Sequence, residues 1–278
     1  MHDYAFRLVN VFAEHPLAGN PLCVFENGDG LDGATMQALA LQFNLSETTF
    51  VLPSSRATAH VRIFTPSFEM PFAGHPTLGT AHVVREIRGA GDEVTLEMKA
   101  GVIPVRAQGD VWTLSANAPR QRAPDTRPAD FARMLNLDEA DLASPPLWVD
   151  TGSEQLVIPL ASFAAVRRAA PTAETLLAHG SNGQRAMAYV FAREGDDVLA
   201  RFFFPKHGSV IEDPGTGSAC ANLGGWLLAT GAPLPQRLTV SQGEAVGRPC
   251  RLGLEVTAQR EIRVSGHVIE IGRGTIRL

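Results

Sequence analysis

Three titratable side chains stand where a proton could be moved: Glu47 in Asn44-Leu-Ser-Glu-Thr-Thr-Phe50, His75 after Gly74, and Asp213 before Pro214. A glutamate such as Glu47 acts as a general acid or base when burial brings its pKa toward the working pH. In a short connector between a helix and a strand it can equally cap a turn through Ser46 and Thr48. His75 opens a helix, where the dipole favours the neutral ring, so it could exchange protons near neutral pH or serve only as a structural donor. Asp213 stands at a second helix start, a place where Asp is also a favoured N-cap. Glu69 and Glu212 read as solvated or structural. Ser218, in Gly215-Thr-Gly-Ser218, falls one glycine short of G-x-S-x-G and would need a base to become a nucleophile.

The two helix starts share a property. Glycines and small residues in Gly74–Ala81 and Gly215–Ala219 leave backbone N–H groups open, and the positive end of a helix attracts an anion. Two such ends at a domain interface would hold a carboxylate. The plainer alternative is that these glycines only permit tight turns.

The elements that position these residues are repeated. Arg62-Ile-Phe-Thr-Pro66 is answered by Arg201-Phe-Phe-Phe-Pro205, an R-x-F-x-P pattern at an offset of 139 residues, half of the 278-residue chain. Each copy leads through a turn-rich stretch into a glycine and a small-residue helix start, the order expected of a duplicated domain. Thr58–Thr65 and Val198–Phe204 have strand composition, and Pro76–Ile87 and Thr216–Thr230 have helical spacing. Further helices are expected over Ala34–Asn44, Ala129–Leu137 and Thr172–His179, with short strands elsewhere broken by Gly and Pro. This makes an α+β protein of two similar domains, each a curved sheet wrapped around a helix and not an alternating βαβ sandwich. The domains are expected at 1–118 and 128–267, with 119–127 as a proline-rich linker, and a return of the final strand (about 268–278) to the first domain is left open.

Bulk properties exclude several classes. Apolar residues at 45% and charged residues at 19% describe a folded chain. A net charge of −5 gives no reason to expect nucleic acid or an anionic membrane as partner. With no signal-peptide h-region and no 18-residue apolar stretch, the expected compartment is the cytoplasm. Cys23, Cys220 and Cys250 are odd in number and far apart, and neither CxxC nor HExxH occurs, so a metal-free site is expected. Lacking a P-loop or a GxGxxG after a strand, the chain is expected to use no nucleotide cofactor.

Six segments together resemble one family. They are Ala18-Gly-Asn-Pro21, Leu45-Ser-Glu-Thr-Thr-Phe50, Arg62-Ile-Phe-Thr-Pro66, Pro71-Phe-Ala-Gly-His-Pro-Thr-Leu-Gly-Thr80, Glu212-Asp-Pro-Gly-Thr-Gly-Ser-Ala219 and Gln242-Gly-Glu-Ala-Val-Gly-Arg-Pro249. In this order they are similar to the PhzF-like isomerases of phenazine biosynthesis, within the diaminopimelate epimerase-like fold. The resemblance implies two barrel-like domains, each a mixed sheet closed around a central helix, with the active site between them and a homodimeric assembly. It also implies that Glu47 is the catalytic glutamate and that His75 and Asp213 assist it. Gly74, Gly217 and Ser218 would bind the substrate carboxylate, and Asn20 would line the site. The family's epimerase relatives use two cysteines, one beside each helix start. Ala73 and Pro214 stand there instead, which argues against a two-thiol racemase. The expected activity is a cofactor-independent isomerase moving a proton between carbons of a small carboxylate-bearing metabolite. The alternatives are an epimerase or racemase using Glu47 and Asp213, a hydrolase built on Ser218 or Cys220, and a non-catalytic metabolite-binding protein.

Overall fold

Strands buried on one face alternate apolar and polar residues, and this pattern recurs through both halves of the chain. A computed structural model describes all 278 residues. It divides into two units: Met1–Ser115 with Ser265–Leu278, and Ala116–Val264. The first unit holds β1 (Asp3–Val11), β2 (Asn20–Phe25), α1 (Gly33–Phe43), β3 (Glu47–Leu52), β4 (Ala59–Phe64), β5 (Glu69–Met70), α2 (Gly74–Arg88), β6 (Glu93–Met98), β7 (Gly101–Gln108) and β8 (Val111–Ser115). Strands β1 and β2 pair antiparallel, β2 and β3 parallel, β3 and β4 antiparallel, β4 and β6 parallel, then β6, β7 and β8 antiparallel. The last strand of the chain, Ile262–Arg277, pairs with both β8 and β1 and closes an eight-stranded barrel.

Helix α2 is buried on every side from His75 to Ala81, as a helix inside a barrel must be. Its neighbours come very close. A side chain at Gly79 would lie 2.7 Å from Leu22 and 2.9 Å from Val11. Helix α1 covers the outside, setting Met36, Leu39 and Ala40 against Phe25, Phe50 and Phe64.

The second unit contains β9 (Arg120–Arg122), α3 (Pro128–Leu135), β10 (Leu147–Asp150), β11 (Glu154–Pro159), α4 (Phe163–Arg168), α5 (Ala173–His179), β12 (Ala188–Glu194), β13 (Asp197–Lys206), β14 (Ser209–Asp213), α6 (Gly217–Ala229), β15 (Gln236–Gln242) and β16 (Cys250–Val256), before the final strand β17 (Ile262–Arg277). From β10 through β11, β12, β13 and β15 to β16 the pairings run antiparallel, parallel, antiparallel, parallel, antiparallel. That is the order found from β1 to β7, so the duplicated sequence is matched by a duplicated topology. Helix α6 is the central helix here, packed on β9, β10, β11 and β16.

Two details differ from the sequence expectation. Residues 119–127 are not a free linker, because β9 lies within them and pairs with β10 through Gln121 and Val149. The final strand begins at Ile262, and the chain is part of the first unit from Ser265 onward. No helix is long and apolar enough to cross a membrane.

Candidate functional site

In the first unit the candidate residues gather at one end of the barrel. Gly19 has φ +78°, and a Cβ there would sit 2.6 Å from the Val11 carbonyl oxygen, so only glycine allows the turn that starts β2. Asn20 follows, fully buried, opposite Val11. Because β2 and β3 run parallel with Leu22 opposite Glu47, both strands begin at the same end. Glu47 is the first residue of β3 and not part of a free connector. The Thr48 hydroxyl beside it is buried without a hydrogen bond.

Glu47 Oε2 lies 3.3 Å from His75 Nε2, and both side chains are largely buried, at 15% and 7% exposure. The Pro21 carbonyl accepts a hydrogen bond from the ring, but burial outweighs it and pushes the imidazole down to about 3. His75 is therefore neutral at ordinary pH. The cause is desolvation, which disfavours the charged ring. Thr77 turns both its N–H and its hydroxyl onto the Ala73 carbonyl, and Ala73 has no side-chain cap to offer. The N–H groups of Gly74 and His75 thus stay open at the start of α2.

The second unit builds its candidates around β14 and α6. Arg201 on β13 grips Glu212 on β14 with Nε and Nη2, at 3.1 and 2.7 Å, and Asp213 is the next residue. Gln242 at the end of β15 is 1% exposed and ties the turn together. Its Oε1 accepts from the Thr216 backbone N–H, while its Nε2 donates to the Asp213 carbonyl and to Thr216 Oγ1. With that oxygen already accepting, the Thr216 hydroxyl donates to Asp213 Oδ2 at 2.5 Å. Gly243 must be bare, for a Cβ would lie 2.5 Å from the Pro214 carbonyl oxygen. The residue at the N-cap position of α6 is Thr216, so Asp213 is not the cap; it receives a hydrogen bond from the residue that is. Gly217 and Ser218 form the first turn of α6, and Ser218 Oγ accepts from Gln155 Nε2 at 3.0 Å.

Glu47, His75, Gly74 and Asn20 therefore form one cluster, and Asp213, Gly217 and Ser218 another, each in its own unit. Glu69 and Glu212 are structural, each paired with the arginine of its R-x-F-x-P copy. The hydrolase alternative finds no support. Cys220 is fully buried and burial pushes its thiol up, and Ser218 has an amide nitrogen, not a base, at its oxygen. Sequence reasoning missed Gln155, Asn222 and Thr151. For Gln155 the one signal was a polar residue at an inward position of an apolar strand, Glu154-Gln-Leu-Val-Ile-Pro159.

A family model described as phenazine biosynthesis-like protein (PhzC-PhzF) matches residues 9–274. The chain is 39% identical over 281 residues to an uncharacterized isomerase of Pasteurella multocida, with 98% of this chain and 94% of that one covered. It is 34% identical over 288 residues to the trans-2,3-dihydro-3-hydroxyanthranilate isomerase of Pseudomonas fluorescens, with 100% of both covered. Among solved structures, a PhzF-family phenazine biosynthesis protein of Bacillus anthracis matches with a TM-score of 0.89 at 24% identity, covering 100% of both chains, a likeness of fold.

Proposed function

The chain belongs to the phenazine biosynthesis-like protein family and is an isomerase, and on that premise we propose that it moves a proton between carbons of a small carboxylate-bearing substrate, without a cofactor. The observation that carries this reading is the buried contact of Glu47 with a neutral His75. Glu47 takes the proton from one carbon and returns it to another. With its one proton given to the Pro21 carbonyl, neutral His75 turns the lone pair of Nε2 and no positive charge toward Glu47, so it orients a protonated carboxyl group without locking a carboxylate in an ion pair. In each unit the start of the central helix offers a place for a carboxylate and stabilises charge as a C–H bond breaks, through the N–H groups at Gly74 in the first and through the Gly217 N–H with the Ser218 hydroxyl in the second. Asn20 lines the site and Asp213, held as an acceptor by Thr216, assists the transfer.

The compound named for the Pseudomonas fluorescens relative is an anthranilate derivative, hence a carboxylate, and is the first substrate to try. Glu47→Gln keeps the size of the side chain but cannot carry the proton. It should fold as the parent does and lose about 10²- to 10⁴-fold in turnover, the factor general base catalysis contributes. The measurement is conversion of trans-2,3-dihydro-3-hydroxyanthranilate in D₂O, with deuterium in the product counted by mass spectrometry. A Glu47→Gln protein that turns over at the parental rate would end the proposal.

A further inference from the structure

The hydroxyl of Ser218 sits at the end of a hydrogen-bond chain whose direction is set by peptide groups. The backbone N–H of Thr151 donates to Asn222 Oδ1 at 2.9 Å, and the Thr151 hydroxyl donates to the same oxygen at 2.7 Å. On its other side Asn222 Nδ2 donates to the Ser153 carbonyl at 2.8 Å. A peptide N–H only donates and a peptide carbonyl only accepts, so the Asn222 amide has one allowed orientation. Its nitrogen also meets Gln155 at 2.8 Å, and the atom facing it must be an oxygen, Oε1. That turns Gln155 Nε2 toward Ser218 Oγ, 3.0 Å away. An amide nitrogen cannot accept, so Ser218 must, and its hydroxyl proton has to point elsewhere.

Thr151, Gln155 and Asn222 are 8%, 4% and 0% exposed, whereas Ser218 is partly open to solvent. Reversing any link would bury an unsatisfied polar group, so the direction is stable. We propose that Gln155 and Asn222 are positioning residues that fix the Ser218 hydroxyl as a hydrogen-bond donor to a carboxylate ligand, which rests on Ser218 being a carboxylate contact as read above. A donor fixed in this way favours a carboxylate and disfavours an ammonium group at the same place.

The direction can be seen without any substrate. Neutron diffraction from deuterated protein should show both Gln155 Nε2 deuterons, one on the line to Ser218 Oγ, and the Ser218 deuteron pointing away from Gln155. A Ser218 deuteron directed at Gln155 overturns the proposal whatever the reaction proves to be. Kinetics with trans-2,3-dihydro-3-hydroxyanthranilate test the consequence. Gln155→Met removes the donor at similar volume and should raise KM about three- to tenfold with kcat little changed, the signature of lost ground-state binding. Gln155→His can still accept from Asn222 and donate to Ser218, and should bring KM back toward the parent value. In a Ser218→Ala background, Gln155→Met should change KM by less than about twofold. An undiminished effect of Gln155→Met in that background shows that Gln155 does not act through Ser218 and overturns the proposal. If the parent protein converts none of this compound, the choice of substrate fails on its own, and the neutron result still decides the direction of the chain.

Discussion

His75 is the titratable candidate whose environment departs furthest from water. Burial holds it neutral down to about pH 3, against an ordinary value of 6.5. Its folded pKa is depressed, so between about pH 3 and 6.5 the unfolded chain binds a proton that the folded one does not. Stability from this group is whole above pH 6.5 and falls as the pH drops through that window, approaching 1.4 kcal/mol per unit. At pH 5.0 the loss relative to pH 7.5 should be about 2 kcal/mol. His75→Gln removes the term, so urea unfolding of parent and variant at the two pH values isolates it. Carboxylates held low by arginines, such as Glu69 at about 2, weaken both proteins alike and cancel from the difference. Equal pH dependence in parent and His75→Gln would show that the ring is not held neutral.

Between residue and domain lies the element that the sequence announces most clearly, the arginine–glutamate clip. In each unit an arginine pairs through two nitrogens with a glutamate on the adjoining hairpin strand, and that glutamate stands five residues before the first residue of the central helix: Arg62 with Glu69 before Gly74, Arg201 with Glu212 before Gly217. Each guanidinium also lies over a phenylalanine of its own motif, Phe64 at 5.0 Å and Phe203 at 4.6 Å. This explains why R-x-F-x-P was legible: a bidentate, ring-stacked contact admits few other side chains. The intervening loop was not, since the second hairpin is four residues longer and its length is free to vary at the surface. The two clips are not equal in weight. Arg201 is the more buried, and its Nη1 also binds the carbonyls of Val166, Arg167 and Ala169 at the end of α4. Lysine keeps the charge but cannot hold two oxygens and a helix end together. Arg201→Lys should therefore cost about 2–3 kcal/mol and Arg62→Lys about 1 kcal/mol in chemical unfolding. Equal losses, or a larger one at Arg62, would contradict this account of the clips.

At the scale of the whole chain, the duplication and the two central helices could be read from periodicity, because a helix enclosed by strands needs small residues on every side and says so in its composition. The glutamine networks could not be read. Gln155 meets Ser218 across 63 positions and Gln242 meets Thr216 across 26, and nothing local marks a glutamine for such a partner. The closing strand was half legible. Its alternation was clear, but its division between the units depends on pairing with the other end of the chain, where Asp3 lies opposite Arg277 and Val11 opposite Val268. That pairing has a consequence. Barrel closure removes the open edges that a sheet otherwise exposes, and in the first unit β17 supplies both final seams, to β1 and to β8. A chain ending at Val264 should leave β1 with β2 as its one neighbour in the barrel and open the barrel that holds α2. Hydrogen exchange read by mass spectrometry should then show amides in β1, β8 and α2 losing at least about a hundredfold in protection, while those of β10 to β13 keep theirs. The contrast matters more than the loss itself. Uniform loss would mean that the second unit cannot hold its structure unless the first barrel is closed, and full protection in α2 would mean that seven strands are enough to bury it.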